Sequence, residues 1–162
     1  MDYHPTTHTI VNLLEQNGLW FESFEHEPVT TSEEAAKVRE GKYSLSQGAK
    51  ALILRVKESS GKRFVMVVLP GDQKFSGNRL KKILNSKDIR FATVEEINKL
   101  TNGIEVGGVP PFGNLFELEV IADIGLFKND KIVFNAGDRR FSVAMKATDY
   151  KKLVNPRIEQ IT

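Results

Sequence analysis

The chain contains no cysteine, and that absence removes several kinds of chemistry at once. Disulfide bonds, thiolate metal sites and a cysteine nucleophile are all excluded. Histidine is scarce as well, with three residues in a chain of 162. His4 and His8 have the i, i+4 spacing of a helical metal pair, but no accompanying carboxylate pattern supports such a site. The sequence therefore predicts no metal centre.

Long apolar runs and a strong net charge are also missing. The sequence contains no run of about eighteen apolar residues, the length needed to span a membrane. Residues 1–5 also lack the basic flank and apolar core of a signal peptide. We therefore expect a cytoplasmic protein. The formal net charge of +2 is too small by itself to indicate nucleic-acid binding, so any contact with RNA would need local basic patches.

The composition that remains is that of an ordinary globular chain. Forty per cent of the residues are hydrophobic and 27% are charged, which allows a core and a polar surface. A length of 162 residues suits one domain with one core. Because the sequence shows no internal repeat and no low-complexity linker, we expect a single domain that spans residues 1–162.

Polar residues that precede apolar stripes predict where helices begin. The candidate caps are Thr6 or Thr7, Thr31 or Ser32, and Ser76 or Asn78. Gly18 is placed to end the first helix. Thr93 and Glu96 have the spacing of a capping box, and residues 149–154 are predicted to form a closing helix.

Apolar and β-branched runs predict the strands. They cover residues 20–24, 50–56, 64–69, 115–121, 131–134 and 141–145. Residues 59–62 have the composition of a hairpin loop between the second and third of these strands. Because strands and helices do not alternate regularly, the pattern indicates an α+β fold.

Two short segments have the most specific chemistry. In residues 47–56, Lys50 stands at the mouth of an apolar strand, where removing water from an ammonium group is costly. Residues 107–113 form a glycine- and proline-rich turn whose backbone could approach a ligand closely. A cation beside backbone N–H groups suits a carbonyl or phosphate ligand. Each segment alone has a simpler interpretation, namely a strand-end lysine that reaches solvent and an ordinary turn.

Together with three further motifs, these segments resemble the YbaK/prolyl-tRNA synthetase-associated domain family of aminoacyl-tRNA editing domains. The matching pieces occur in the family's order at residues 24–28, 48–52, 67–72, 107–113 and 135–137. The resemblance runs from about Leu13 to about Leu153. It implies a mixed, strongly curved β-sheet with flanking helices and a pocket between them.

The resemblance also implies a hydrolase that cleaves the ester between a wrong amino acid and its tRNA. Lys50 corresponds to a lysine that is essential for deacylation in the family. Gly107 and Gly108 would supply backbone N–H groups to the ester carbonyl, and Pro110 and Pro111 would hold the loop in shape. Because the ester is already activated, water could attack it without a serine or cysteine nucleophile. No metal or organic cofactor is implied.

Four further residues are candidates for the substrate pocket. His26 could act as a general base at neutral pH, or could instead fix a loop or line the pocket. Phe24 lies where some relatives carry a tyrosine, and it could pack there but not form a hydrogen bond. Gly137 closes the last matching motif. Relatives often carry an aspartate at the place of Ser142, so serine would remove a charge from the pocket rim, and Asp138 in the same turn could replace it.

The sequence also suggests a small pocket. Ala49 and Ala51 flank Lys50, and Val109 lies in the glycine-rich loop. Small walls favour a small side chain, so we expect the edited amino acid to be alanine or one of similar size.

The expected partner is the acceptor end of an aminoacyl-tRNA, with a synthetase as a further candidate. The basic side chains that could meet phosphates are Arg79, Lys81, Lys82, Arg139 and Arg140, although each could equally belong to solvated surface. Two other interpretations stay open at this stage. One is a non-catalytic module that binds aminoacyl-RNA or a synthetase, and the other is a regulatory protein that binds a free amino acid or nucleotide.

Overall fold

A computed structural model describes residues 2–28, 31–38 and 42–162 of the chain. Within these ranges the helices are α1 (Pro5–Gln16), α2 (Ser32–Val38), α3 (Gly77–Leu84), α4 (Val94–Thr101) and α5 (Ala147–Val154). The strands are β1 (Phe21–Glu25), β2 (Ala49–Glu58), β3 (Gly61–Pro70), β4 (Asp88–Phe91), β5 (Glu119–Asp123), β6 (Lys131–Asp138), β7 (Phe141–Lys146) and β8 (Arg157–Glu159). Short 3₁₀ turns lie at Leu45–Gln47, Gly113–Phe116 and Ile124–Lys128. The predicted α+β class is confirmed.

The described strands form two sheets, where the sequence analysis expected one curved sheet. The smaller sheet is antiparallel and has the order β1-β7-β6. The larger sheet has the order β4-β2-β3-β5-β8 and is mixed, because β3, β5 and β8 run parallel while β2 is antiparallel to both of its neighbours. A single parallel bridge between Gly48 and Val133 links the start of β2 to β6. The two sheets therefore meet near Gly48.

The β2–β3 hairpin is confirmed, and both strands are longer than predicted. Its register runs from Ala49 opposite Pro70 to Glu58 opposite Gly61. Successive side chains of a strand point to opposite faces, so Ile53 and Leu54 enter two different hydrophobic clusters. Coverage on both faces explains why this segment is an almost continuous apolar run.

Among the residues that the structure describes, three clusters of buried side chains hold the elements together. The largest joins α1, the face of β2 that carries Ala49 and Ile53, and the aromatic residues Phe112, Phe134 and Tyr150. The second packs α3 against the opposite face of β2 and β3, and the third joins β1 to β6 and β7. No helix in the described ranges is long and apolar enough to cross a membrane.

Three of the predicted helix starts are confirmed. Thr31 accepts a hydrogen bond from the amide of Glu34 at 3.1 Å. Ser76 caps α3, and Thr93 caps α4 in a complete capping box. These side chains satisfy amide groups that the first helical turn leaves without partners.

The prediction for the first helix was wrong by two residues. His4, not Thr6 or Thr7, is the cap, because its Nδ1 atom accepts a hydrogen bond from the Thr6 amide at 3.1 Å. Pro5 occupies the first helical position, where its fixed φ and missing N–H are well tolerated. Gly18 follows the end of α1 with a φ of +63°, as predicted.

The predicted strand over residues 115–121 was wrong in its first half. Residues up to Phe116 form a 3₁₀ turn, Glu117 has a φ of +58°, and β5 begins only at Glu119. A Cβ atom on Gly113 would lie 2.6 Å from the Val120 side chain, so this glycine allows the turn to pack tightly on β5. The short strands β4 and β8 were missed because three or four residues show too little periodicity.

Glu96 should make the fold sensitive to acid. Arg90 donates two hydrogen bonds to its carboxylate and the Thr93 amide donates a third, and these lower the pKa of Glu96 to about 2. Since the folded pKa lies below the unfolded value, the stabilisation is complete above the unfolded pKa and is lost as pH falls toward 2. We expect Glu96→Gln to lower the urea midpoint at about pH 6, and the difference from wild type to shrink by about pH 3.

The matched control for this experiment is Glu95→Gln, since Glu95 is exposed in the same helical turn. It should leave the urea midpoint unchanged at both pH values. A Glu96→Gln deficit that stays constant across the pH range would contradict the proposed linkage.

Candidate active site

His26, Ser142, Asn135 and Gly107 are joined in one chain of hydrogen bonds. The Nε2 atom of His26 lies 2.7 Å from the Ser142 hydroxyl, which donates to Oδ1 of Asn135 at 3.1 Å. Nδ2 of Asn135 then donates to the Gly107 carbonyl at 2.8 Å. Ser142 and Asn135 are opposed in the β7–β6 register, so the smaller sheet itself places them side by side.

Donor and acceptor roles can be followed along this chain from Asn135 to His26. Because the Asn135 amide nitrogen donates to Gly107, its oxygen faces Ser142 and accepts the hydroxyl proton. Nε2 of His26 must then donate to Ser142, while Nδ1 lies 2.9 Å from the Glu27 carbonyl, which can only accept. The geometry therefore suits a histidine that positions the chain better than one that removes a proton from water.

The Gly107 loop has an exposed backbone and a conformation that needs glycine. The φ of Gly107 is +94°, in the region that side chains rarely adopt. Its carbonyl is held by Asn135, whereas none of the described residues accepts a hydrogen bond from its amide. Gly107 is therefore suited to donate its N–H to a ligand oxygen.

Gly108 differs from its neighbour, and this corrects the expectation that both glycines donate to an ester carbonyl. Its amide already donates to the Glu105 carbonyl at 2.9 Å, and its own carbonyl accepts from the Gly137 amide at 2.8 Å. A Cβ atom on Gly108 would lie 3.3 to 3.4 Å from backbone atoms of residues 105, 138 and 139. Gly108 thus packs the loop against the turn that follows β6.

The rest of the loop is buried. Val109, Pro110 and Pro111 are all shielded from solvent, and Val109 belongs to the largest hydrophobic cluster. The Tyr150 hydroxyl donates to the Pro111 carbonyl at 2.6 Å, and burial raises the pKa of this phenol. These contacts hold the loop against the hydrophobic core.

Lys50 is partly buried, and its ammonium group has a backbone partner. Nζ donates to the Gln73 carbonyl at 2.7 Å. Burial lowers the pKa of Lys50, and the charge of Lys74 lowers it further, while Glu33 and Asp72 act in the opposite direction. A partly desolvated cation interacts more strongly with a nearby negative charge than one in bulk water.

The Gly48–Val133 bridge relates Lys50 to the hydrogen-bonded chain. The two strands run parallel at this point, and Lys50 and Asn135 each lie two residues beyond the bridge. Side chains two residues apart on a strand share a face, so both project to the side on which Gly48 and Val133 lie. The structure records no direct contact between Lys50 and Asn135 in the described ranges. We therefore take as the candidate active site the face beside the Gly48–Val133 bridge on which Lys50 and Asn135 lie.

The small-pocket argument needs correction at Ala49 and Ala51. Both alternate with Lys50 along β2, so they project to the opposite face of the strand. Ala49 lies in the largest hydrophobic cluster, and Ala51 packs against it. The alanines that flank Lys50 in sequence therefore line the core and do not form walls around the ammonium group.

Phe24 and Ser142 lie deeper than a pocket rim. Phe24 is buried and pairs with Ser142 in the β1–β7 register, and its ring meets Tyr43 edge-on at 6.1 Å between centroids. The Tyr43 hydroxyl donates to Glu22 at 2.5 Å, and this bond lowers the pKa of that carboxylate. Ser142 is fully buried, so it does not act as the exposed rim residue that the sequence suggested.

Gly137 and Asp138, at the end of β6, make contacts within the protein. Gly137 has a φ of +95°, and a Cβ atom there would lie 3.1 Å from the Thr7 hydroxyl at the start of α1. Asp138 forms an ion pair with Arg140 at 2.8 Å, and hydrogen bonds from Arg140 lower the pKa of Asp138. Arg139 pairs with Glu105. These two arginines are therefore engaged within the protein, unlike the exposed Arg79 and Lys82.

Sequence reasoning missed Asn135 and Gln73 as site residues. Asn135 stood in a matching motif, but only the sheet register shows that its amide reaches the Gly107 carbonyl. Gln73 contributes a backbone carbonyl, for which side-chain identity gives no signal.

The described residues contain no cluster of three or more metal-ligating side chains. His4, considered above as half of a metal pair, has both ring nitrogens engaged. Nδ1 accepts from Thr6, and Nε2 lies 2.8 Å from the Asn102 carbonyl.

Comparison with known proteins identifies the family. The aminoacyl-tRNA editing domain family matches residues 26–153, so the chain belongs to this family. The chain is 33% identical to the "Multifunctional Ser/Thr-tRNA deacylase ProXp-y" of Escherichia coli strain K12 over 154 residues, which cover 94% of this chain and 90% of the relative. It is 27% identical to the "Prolyl-tRNA editing protein ProX" of Acetoanaerobium sticklandii, with 90% and 88% covered.

Solved structures share the fold. One neighbour, provisionally assigned as a trans-editing enzyme for prolyl-tRNA synthetase, has a TM-score of 0.81, 21% identity and 99% coverage of both chains. At this identity the likeness concerns the fold alone. A 64-residue segment is also 38% identical to part of the proline–tRNA ligase of Bacillus licheniformis, covering 40% of this chain and 11% of that enzyme.

Proposed function

We propose that this protein is a trans-editing aminoacyl-tRNA deacylase, which hydrolyses the ester of mischarged tRNA beside Lys50 and the Gly107 loop. The observation that carries the proposal is the exposed Gly107 amide. The Gly107 carbonyl is held by the hydrogen-bond chain from His26 through Ser142 to Asn135, and Lys50 lies on the same face as Asn135 beside the Gly48–Val133 bridge. Family membership supports the same conclusion.

The chemistry uses these groups without a covalent enzyme intermediate. Water attacks the ester carbonyl, forming a new C–O bond and placing negative charge on the former carbonyl oxygen. The Gly107 amide donates a hydrogen bond to that oxygen, which stabilises the tetrahedral intermediate. Collapse breaks the ester C–O bond, and the proton that the water loses is transferred to the leaving ribose oxygen.

Lys50 contributes electrostatically in this scheme. Its cation orients the acceptor end of the tRNA and offsets negative charge as it develops. The Gln73 carbonyl holds the ammonium group in place before substrate arrives, so little reorganisation is needed during the reaction. This assignment of roles requires neither a metal nor an organic cofactor.

We propose that the amino acid removed is small. The relative named as a Ser/Thr-tRNA deacylase supports this choice. The argument no longer depends on the alanines beside Lys50, which line the core. A second hydrolytic site is useful for small amino acids because a synthetase pocket distinguishes one methylene by only about 1–3 kcal/mol.

A panel of charged tRNAs tests both the activity and the size preference. We expect seryl-, threonyl- or alanyl-tRNA to be deacylated at least about tenfold faster than phenylalanyl-tRNA, because a rigid site excludes the larger side chain. Release of labelled amino acid under single-turnover conditions gives the rates. Equal rates for small and large side chains would contradict the size preference, and no release from any of these tRNAs would favour the non-catalytic binding module.

The proposed partner is the acceptor end of aminoacyl-tRNA, and we propose a cytoplasmic location, where such a substrate is available. A synthetase is a further candidate partner, because part of this sequence resembles a segment of proline–tRNA ligases. Copurification of the protein with a synthetase would test that second contact.

A further inference from the structure

Phe91 is a large exposed aromatic residue that the active site does not use. Its side chain is 60% exposed at the end of β4. The ring meets Phe75 edge-on, with 5.7 Å between centroids. Exposed aromatic surface of this kind commonly marks a place where a partner binds.

The strand register puts this aromatic pair on the same sheet face as Lys50. Phe91 is opposed to Leu54 in the β4–β2 pairing, and opposed residues project to one face. Lys50 and Leu54 share that face because they are four positions apart on the strand, an even offset. The offset of four positions from Lys50 to Leu54 corresponds to roughly 13 Å along β2. Phe75 packs against the cluster that contains Leu54, so it lies on this face as well.

The segment around the aromatic pair is basic. Residues 74–84 carry Lys74, Arg79, Lys81 and Lys82 and contain no carboxylate. Lys74, Arg79 and Lys82 are exposed. An unpaired RNA strand combines phosphate charges with flat bases, and proteins bind such strands with cations along the backbone and aromatic rings under the bases.

Phe75 is held firmly in position. The next residue, Ser76, donates its amide to the Ile161 carbonyl at 2.6 Å, and its hydroxyl caps α3. The ring pair is therefore anchored on its buried side at Phe75 and open to solvent at Phe91. A base could stack on Phe91 without any rearrangement of the helix.

We propose that Phe75 and Phe91 form a stacking platform for a base of the unpaired 3′ end of aminoacyl-tRNA. The basic residues of segment 74–84 bind the flanking phosphates, and the terminal ester reaches Lys50 and the Gly107 loop. This proposal rests on the proposed function and names a nucleotide subsite for it. Because every base has a flat face, the platform binds without reading the sequence of the tail.

The test compares two RNAs and two substitutions. One RNA is an uncharged hairpin with an unpaired 3′ tail that ends in C-C-A and carries 2-aminopurine at one tail position, and the other is the same hairpin without the tail. We expect Phe91→Leu, which keeps an apolar side chain but loses the flat ring, to raise the Kd for the tailed RNA about tenfold. Phe91→Trp should stay within about twofold of wild type, since it keeps an aromatic face.

The blunt hairpin and a distant aromatic residue supply the controls. Phe91→Leu should not change the Kd for the blunt hairpin, and quenching of 2-aminopurine on binding should be lost only with this variant. Trp20→Leu removes an exposed aromatic ring next to the other sheet and should leave both Kd values unchanged. Two results would overturn the platform: an unchanged Kd of Phe91→Leu for the tailed RNA, or an equal loss of affinity for both RNAs. The exposed Phe91 would then serve a different partner.

These binding measurements are independent of hydrolysis. If wild type deacylates none of the charged tRNAs while Phe91→Leu still weakens the tailed RNA, the deacylase proposal fails and the platform stands. If deacylation is efficient and Phe91→Leu has wild-type Kd and KM, the platform fails and the deacylase proposal stands.

Discussion

Lys50→Ala is expected to lower the single-turnover deacylation rate by at least about a hundredfold, the loss typical when one preorganised electrostatic group is removed from an active site. The reason is the position of the partly buried Lys50 side chain, whose ammonium group is held by the Gln73 carbonyl on the face beside the Gly48–Val133 bridge. The fold should survive, because the substitution removes a cation that burial disfavours and opens no cavity in the hydrophobic clusters. The measurements are the deacylation rate with seryl-tRNA and the melting temperature.

Two further variants separate charge from position. Lys57→Ala removes an exposed lysine near the far end of the same strand and should leave the rate unchanged. Lys50→Arg keeps the positive charge on a longer, planar group, so it should recover part of the lost rate. A Lys50→Ala rate within about twofold of wild type would remove Lys50 from the mechanism.

The second large effect is expected for Gly107→Val. A β-branched residue at a φ of +94° is strained by about 1–3 kcal/mol, and relief of the strain would turn the amide away from the ligand. We expect kcat/KM to fall by about a hundredfold, since small misplacements of catalytic groups have effects of this size. Asn135→Leu should show a related loss, because it removes the hydrogen bond that holds the Gly107 carbonyl.

Gly103→Val provides a matched control for backbone strain. Gly103 has nearly the same φ, +95°, but it follows the end of α4 and has nothing within 4 Å of an added Cβ. Both valine variants should lose similar stability in urea unfolding, while only Gly107→Val should lose activity. Equal kinetic effects in the two variants would show that the loop acts only through stability.

The sequence predicted the local structure well where chemistry repeats over several residues. The β2–β3 hairpin and the caps Thr31, Ser76 and Thr93 were found because each depends on neighbours along the chain. β8 was missed because three residues give no period, and the break before Glu119 was missed because tight packing at Gly113 is a tertiary constraint.

The candidate site was predictable as a set of residues but not as an arrangement. Lys50 and Gly107 stood out by residue type, yet only the register shows that Ser142 and Asn135 connect His26 to Gly107. Gly108 was expected to donate to a ligand, but its amide donates to the Glu105 carbonyl. No sequence motif indicates that backbone hydrogen bond. The direction of the Ala49 side chain followed from strand alternation, which could have been applied to the sequence alone.

The residues with proposed roles lie on two structural units, the smaller and the larger sheet, which the bridge at Gly48 links. His26, Ser142 and Asn135 belong to the smaller sheet and its margin, whereas Lys50, Phe75 and Phe91 belong to the larger sheet and the segment packed on it. In the proposed function, the aminoacyl group would be read mainly by the first unit and the nucleotide tail by the second. Substitutions in one unit could then change which amino acid is removed while leaving tRNA binding intact, so the two specificities could evolve independently on one chain.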